Sequence, residues 1–351
     1  MITNSSQLEE LLPHIDSVDR VAIDTEADSL HCYREKLCLL QISVPGRDFL
    51  VDPLAEGDLA PLRALLEKKE IVLQGSDFDL RLLRRSLNFT AHTIFDTVIA
   101  ARLLGIREFS LAALVERFFG VKLTKGSQKA NWARRPLSPK MVEYAINDTH
   151  YLLPLAERLE KELHERDRLD WFRQSCQRAL EQAAVERVRD ADEAWRISGA
   201  GTLRGRSATV LRALWQWREK EAEAVDRPPF HILQNRELLA AAEGFAEGAR
   251  PDYAHFSPRR RRAFQEAAEH ALQLPEEAWP VRRPRLGTRP TFEMRQRTEE
   301  LRRRRDRGAI QLELEPTVVA PRAALEAVAA NEESAEALLV PWQRKLLGIP
   351  A

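Results

Sequence analysis

Val21-Ala22-Ile23-Asp24-Thr25-Glu26, followed shortly by Leu37-Cys38-Leu39-Leu40-Gln41-Ile42-Ser43-Val44, is the stretch that decides the fold. The first segment reads as a short strand with its β-branched residues on one face. The second is a near-continuous apolar run, which predicts a strand buried on both faces. Pro45-Gly46 supplies a turn, and Phe49-Leu50-Val51 would return as a hairpin partner. Helical patterning over 58–68 precedes a short strand at Ile71-Val72-Leu73 and a helix from Asp77 to Ser86. From there to about residue 182 the pattern reads as helical, with Ser110 and Ser138-Pro139 as helix-start signals. Strands first and helices later predict an α/β or α+β catalytic domain.

The chain has 351 residues, enough for two or three domains, and its 44% hydrophobic content is that of a globular protein. The small-residue cluster Ser198-Gly199-Ala200-Gly201 marks a linker, beyond which the pattern is helical. An amphipathic helix is predicted over Thr209–Val225, a second over Glu237–Phe245, and a third opening at Ser257-Pro258. Expected boundaries are 1–182 for the catalytic domain and 204–283 for a helical domain, joined by a linker at 183–203. A second linker at 284–290 leads to a further helical domain at 291–351.

Charge is balanced overall, with 54 Lys+Arg against 54 Asp+Glu, which taken alone argues against a nucleic-acid partner. Residues 1–170, however, carry 23 basic and 27 acidic side chains, and residues 251–310 carry 15 and 9. That gradient favours an anionic partner for the later segment. Cys32, Cys38 and Cys176 form neither a CxxC pair nor a disulfide ladder, so reduced thiols are expected. The N-terminus shows no signal peptide pattern and no apolar run is long enough to span a membrane. A cytoplasmic protein without membrane contact is the expectation.

Asp24 and Glu26 are two apart on a strand, so both carboxylates face one side. Two like charges side by side need a positive partner, and magnesium or manganese prefers such oxygen-rich sites. Asp79, in Gln74-Gly75-Ser76-Asp77-Phe78-Asp79-Leu80, lies where a helix opens after a strand and can reach the same pocket. Tyr144 and Asp148 are spaced i, i+4 on one helical face.

In order, these residues resemble the DEDD exonuclease family in its tyrosine-bearing subclass. Asp24-Thr25-Glu26 with Leu37 to Ile42 resembles the first motif, and Gly75 to Leu83 the second. Asn131-Trp132-Ala133-Arg134-Arg135-Pro136-Leu137-Ser138, leading into Tyr144-Ala145-Ile146-Asn147-Asp148, is similar to the third motif in its ribonuclease D version. Gln74 departs from the pattern, since relatives often carry His there; altered local hydrogen bonding is expected, without loss of a ligand. Leu211 to Glu219, Asp226-Arg227-Pro228-Pro229 and Ile232-Leu233-Gln234-Asn235 resemble an HRDC domain, and the tail around Pro341-Trp342 resembles a second, divergent one.

The resemblance implies a ribonuclease H-like mixed sheet followed by all-α HRDC-type domains. It implies a 3′–5′ exoribonuclease acting on RNA, with tRNA precursors as expected substrates and 5′-mononucleotides as products. Asp24, Glu26, Asp79 and Asp148 would hold two divalent ions, Mg²⁺ or Mn²⁺, with Tyr144 orienting the attacking water. Lys125, Lys129, Trp132, Arg134 and Arg135 are expected at the RNA near the catalytic helix, with core packing as the alternative for Trp132, and Arg259, Arg260, Arg261 and Arg262 further along. The alternatives are a DNA exonuclease of the same superfamily and a catalytically silent RNA-binding or adaptor protein.

Overall fold

The structure, a computed structural model, describes residues 1–124, 126–185, 190, 192–281 and 290–350. Lys125 and residues 284–289 of the expected second linker lie outside the described residues. Contacts divide the chain into two units. One comprises Met1–Ala27, Lys36–Glu186 and Gly287–Ala351; the other comprises Asp28–Glu35 and Arg187–Leu286.

The first unit is built on a five-stranded sheet: β1 (Arg20–Ala27), β2 (Leu37–Val44), β3 (Arg47–Val51), β4 (Glu70–Leu73) and β5 (Thr93–Asp96). Their order is β3-β2-β1-β4-β5. β1 pairs antiparallel with β2 and parallel with β4, so it is central and the sheet is mixed. All eight residues of β2 are buried, as its unbroken apolar run predicts. Strand β5 falls in a region expected to be helical. Its four residues are too few to show a period, and parallel pairing with β4 makes them a strand.

Helices α1 (Ser5–Asp16), α2 (Ala60–Leu66), α3 (Asp77–Leu87), α4 (Thr97–Leu103), α5 (Leu111–Phe119), α6 (Pro139–His150), α7 (Leu152–Glu165) and α8 (Leu169–Ala184) complete this part. The expected start signals hold: the Ser110 and Ser138 side chains accept from Ala113 N and Met141 N, and Pro139 occupies the first turn of α6.

The second unit contains α9 (Gly205–Ala224), α10 (Pro229–Ile232), α11 (Asn235–Ala246) and α12 (Pro258–Leu272). Its core gathers Leu211, Leu214, Trp217, Leu238, Phe245 and Phe264. Arg218, buried on α9, donates to Leu233 O at 3.1 Å and Asn235 Oδ1 at 2.7 Å, which fixes the turn into α11. The segment Asp28–Glu35 belongs here: Tyr33 N donates to Asp226 Oδ1 at 3.0 Å and Arg34 pairs with Glu223 at 2.6 Å.

The C-terminal helices α13 (Phe292–Leu312), α14 (Pro316–Val319), α15 (Arg322–Ala330), α16 (Ser334–Leu338) and α17 (Pro341–Leu347) lie in the first unit and share its core. Trp342 stacks on Trp171 of α8 with ring centroids 4.8 Å apart, and its backbone N donates to Gln174 Oε1 at 2.9 Å. Arg168, only 8% exposed, donates to Leu103 O and to Leu312 O, tying the end of α4 to the end of α13. Gly105 has a φ of +77°, and a β-carbon there would overlap the Glu313 carbonyl. No described helix is long and apolar enough to cross a membrane.

Because Trp342 is 5% exposed and shares the sheet's core, Trp342→Ala should destabilise the first unit as a whole. The expected loss is about 3–5 kcal/mol, read as a lowered urea midpoint for unfolding of the sheet domain. Loss of only a local C-terminal transition would contradict this shared core.

Candidate active site

Carboxylates reach the end of β1 from three elements. Asp24 and Glu26 lie on β1 opposite Gln41 and Leu39 of β2, and a register shift after Glu26 ends the regular pairing. Asp148 comes from α6, and oxygen atoms of Asp24, Glu26 and Asp148 lie within 4.8 Å of one another. Asp79 comes from the first turn of α3, and its Oδ1 accepts the Thr25 hydroxyl hydrogen bond. Tyr144, one turn before Asp148, hydrogen-bonds to it.

Local chemistry fixes each element. The loop that launches α3 is held by Asp96, which accepts from Gly75 N at 3.2 Å and Ser76 N at 2.8 Å. The same carboxylate caps α4 through Val98 N. Helix α6 is pinned to the sheet by Ser43 Oγ to Thr149 Oγ1 at 2.7 Å and by His150 Nδ1 to Asp48 Oδ2 at 2.7 Å. Gln74 donates to Phe109 O at 2.8 Å and accepts from the Thr97 hydroxyl, so the departure from histidine is absorbed by a local network.

Crowding the acids shifts their protonation. Burial, then the charges of Asp79, Asp148 and Glu26, hold Asp24 well above the usual carboxylate range. Burial and the charges of Asp148 and Asp79 push Glu26 to about 9. Burial lifts Asp148 to about 7 against the Tyr144 hydrogen bond, and Asp79 to about 6 against the Thr25 bond. Burial and the neighbouring carboxylates raise Tyr144 too, so its phenol stays protonated and serves as a donor. Among the described residues no Lys, Arg or His is ion-paired to these four acids. An all-oxygen cluster of this kind suits a hard divalent cation.

The basic residues expected at RNA divide. Lys129 and Arg134 are exposed. Arg135 is engaged within the protein: its guanidinium grips Asp52 at 2.5 and 2.6 Å and donates to Cys38 O and Trp132 O. These bonds occupy the fork that a phosphate would need. Burial raises the Asp52 carboxyl, but the Arg135 bonds and backbone amides hold it below the ordinary value. Trp132 is packed in the core. It is fully buried with Leu39, Leu50 and Ala145, its ring 6.0 Å from that of Tyr144, and it has no face for a base. On α12, Arg259 and Arg260 pair with Glu221 and Arg261 with Asp252; Arg259 and Arg262 are exposed.

The sequence reading missed Gln41, Asp52 and Asp96. Gln41 is fully buried and donates to Asp24 Oδ2 at 3.4 Å, while its Oε1 is unpartnered. A glutamine inside an apolar strand was its signal; Asp96, thirteen residues beyond the second motif's Leu83, offered only a possible helix cap.

Residues 1–164 match the family model of 3′–5′ exonucleases, and residues 207–245 match that of the HRDC domain. Ribonuclease D of Sphingobium indicum is 33% identical over 247 residues, 69% of this chain and 63% of that protein. Residues 1–164 thus belong to the 3′–5′ exonuclease family, and the chain is similar to ribonuclease D. Ribonuclease D of Zymomonas mobilis is 34% identical over 251 residues, again 69% of this chain and 63% of the relative. The chain thus spans less than two thirds of the length of these curated relatives. The crystal structure of Escherichia coli RNase D, titled an exoribonuclease involved in structured RNA processing, shares the fold. Its TM-score is 0.73 at 24% identity, covering 99% of this chain and 96% of that one.

The raised values carry a pH signature. The folded, metal-free chain holds more protons than the unfolded one, whose carboxylates titrate near about 4. Stability is therefore full in acid and is lost as pH rises through about 6 for Asp79, 7 for Asp148 and 9 for Glu26. In chelator, the calorimetric Tm should fall across this window, and Glu26→Gln should flatten its alkaline part. A wild-type Tm that is constant or rising there would contradict the assignment.

Proposed function

We propose that the chain is a metal-dependent 3′–5′ exoribonuclease, working in the cytoplasm, that removes 5′-mononucleotides from RNA 3′ ends, with tRNA precursors as substrate. The observation that carries this reading is the desolvated oxygen cluster of Asp24, Glu26 and Asp148, with Asp79 close enough to raise their protonation. Asp24 and Glu26 hold their protons at neutral pH unless a cation is bound. The family relationship supplies the bond to be cleaved, and the E. coli relative's described work on structured RNA supports the substrate class.

Asp24, Glu26 and Asp148 would hold one divalent ion, and Asp24 with Asp79 a second. Bound there, two such ions activate water and stabilise charge on phosphorus and the leaving oxygen. Tyr144 stays protonated, its hydrogen given to Asp148, and its oxygen can accept from and orient the water nucleophile without acting as base. Arg134 and Lys129 are exposed on the segment preceding α6, where they can meet backbone phosphates. Arg259 and Arg262 offer charge on the HRDC unit. We assign the divergent tail, 291–351, as a second HRDC-like element built into the first unit's core.

Matched RNA and DNA oligonucleotides, labelled at the 5′ end, test this with Mn²⁺ or Mg²⁺. Stepwise shortening of RNA is expected, faster than that of DNA. Asp24→Ala and Asp148→Ala should each lower the rate at least ~100-fold. Faster DNA shortening would favour the DNA exonuclease alternative, and unchanged rates in both variants would remove these residues from the site. Tyr144→Phe, which keeps the ring and loses the hydroxyl, should lower kcat more than it raises KM.

A further inference from the structure

We propose that Thr25 is a positioning residue that aims the Asp79 carboxylate at the second of the two cations; this rests on the metal-dependent reading above. Thr25 lies between Asp24 and Glu26 near the end of β1, buried where they are part-exposed. Its hydroxyl meets Asp79 Oδ1 there, and both residues are 6% exposed. Asp79 stands outside the tight trio of Asp24, Glu26 and Asp148, so something other than that cluster must set its direction. The Thr25 backbone amide also favours the ionised form of both the Asp24 and the Asp79 carboxylates. One residue therefore joins the two acids that the second cation would bridge.

The division of labour follows from the geometry. Asp96 fixes the backbone that launches α3, through the amides of Gly75 and Ser76. Thr25 fixes the side chain at the other end of that lever. A hydroxyl has one proton to give; spent on Oδ1, it leaves Oδ2 of Asp79 turned to a ligand. A hydrogen bond to an ionised acceptor is worth roughly a tenfold to hundredfold change in an equilibrium.

The test uses the full-length chain without RNA and follows Mn²⁺ uptake by electron paramagnetic resonance. Two binding events are expected in the wild type. Thr25→Val, which keeps the shape and removes the donor, should weaken the second about tenfold or more and leave the first unchanged. Thr25→Ser should restore the second event. In an Asp79→Asn background, Thr25→Val should cost nothing further. The proposal is overturned if Thr25→Val titrates as wild type does, if it weakens both events alike, or if its effect adds fully to that of Asp79→Asn. A wild-type chain that takes up no Mn²⁺ overturns this proposal and the metal-dependent reading together. Two events that are indifferent to Thr25 overturn this proposal alone.

Discussion

Mutual repulsion among Asp24, Glu26, Asp148 and Asp79 is the constraint to which the rest of the first unit answers. Three of these acids lie within 4.8 Å of one another, partly buried, with no basic side chain paired to any of the four among the described residues. Left to relax, such groups would separate or hold their protons. They are kept together because each is borne on an element locked elsewhere. β1 is central in the sheet, α3 is launched from a loop gripped by Asp96, and α6 is pinned through Ser43, Thr149, Asp48 and His150. Packing and hydrogen bonding away from the site offset the electrostatic cost inside it, which is how strain at functional sites is usually sustained.

Arginine does much of that locking. Arg135 holds the segment before α6 by its two hydrogen bonds to Asp52 and by bonds to backbone carbonyls, and Arg168 ties α4 to the end of α13. Arg218 does the same inside the HRDC unit. The planar fork suits this work because several fixed donors can satisfy carbonyls that helix ends and loops leave open. The basic excess of residues 251–310 is thereby reinterpreted. On α13 Arg302 faces Glu299 and Asp306, and Arg304 faces Glu300, each about one turn away; on α12 Arg260 pairs with Glu221 of α9 and Arg261 with Asp252. Exposed pairs of this type contribute little to stability and still mute the field that a net count suggests.

The four acids, Tyr144, the strand pair β1–β2 and the starts of α5 and α6 were legible in the sequence, because each depends on local rules. Alternation puts Asp24 and Glu26 on one face, i, i+4 spacing pairs Tyr144 with Asp148, and serine caps announce helices. Strand β5 was not legible: four residues carry no period, and only pairing with β4 defines them. The fates of Trp132 and Arg135 were also hidden, since an aromatic and a cation read alike whether they meet RNA or the protein's own interior. Tertiary structure decided, too, that the C-terminal helices share the sheet's core through Trp342 and Arg168. Composition and charge order the sequence along one dimension. Which buried partner satisfies a given donor, and which face of β1 each acid approaches, is fixed only when segments far apart in the chain compete for the same space.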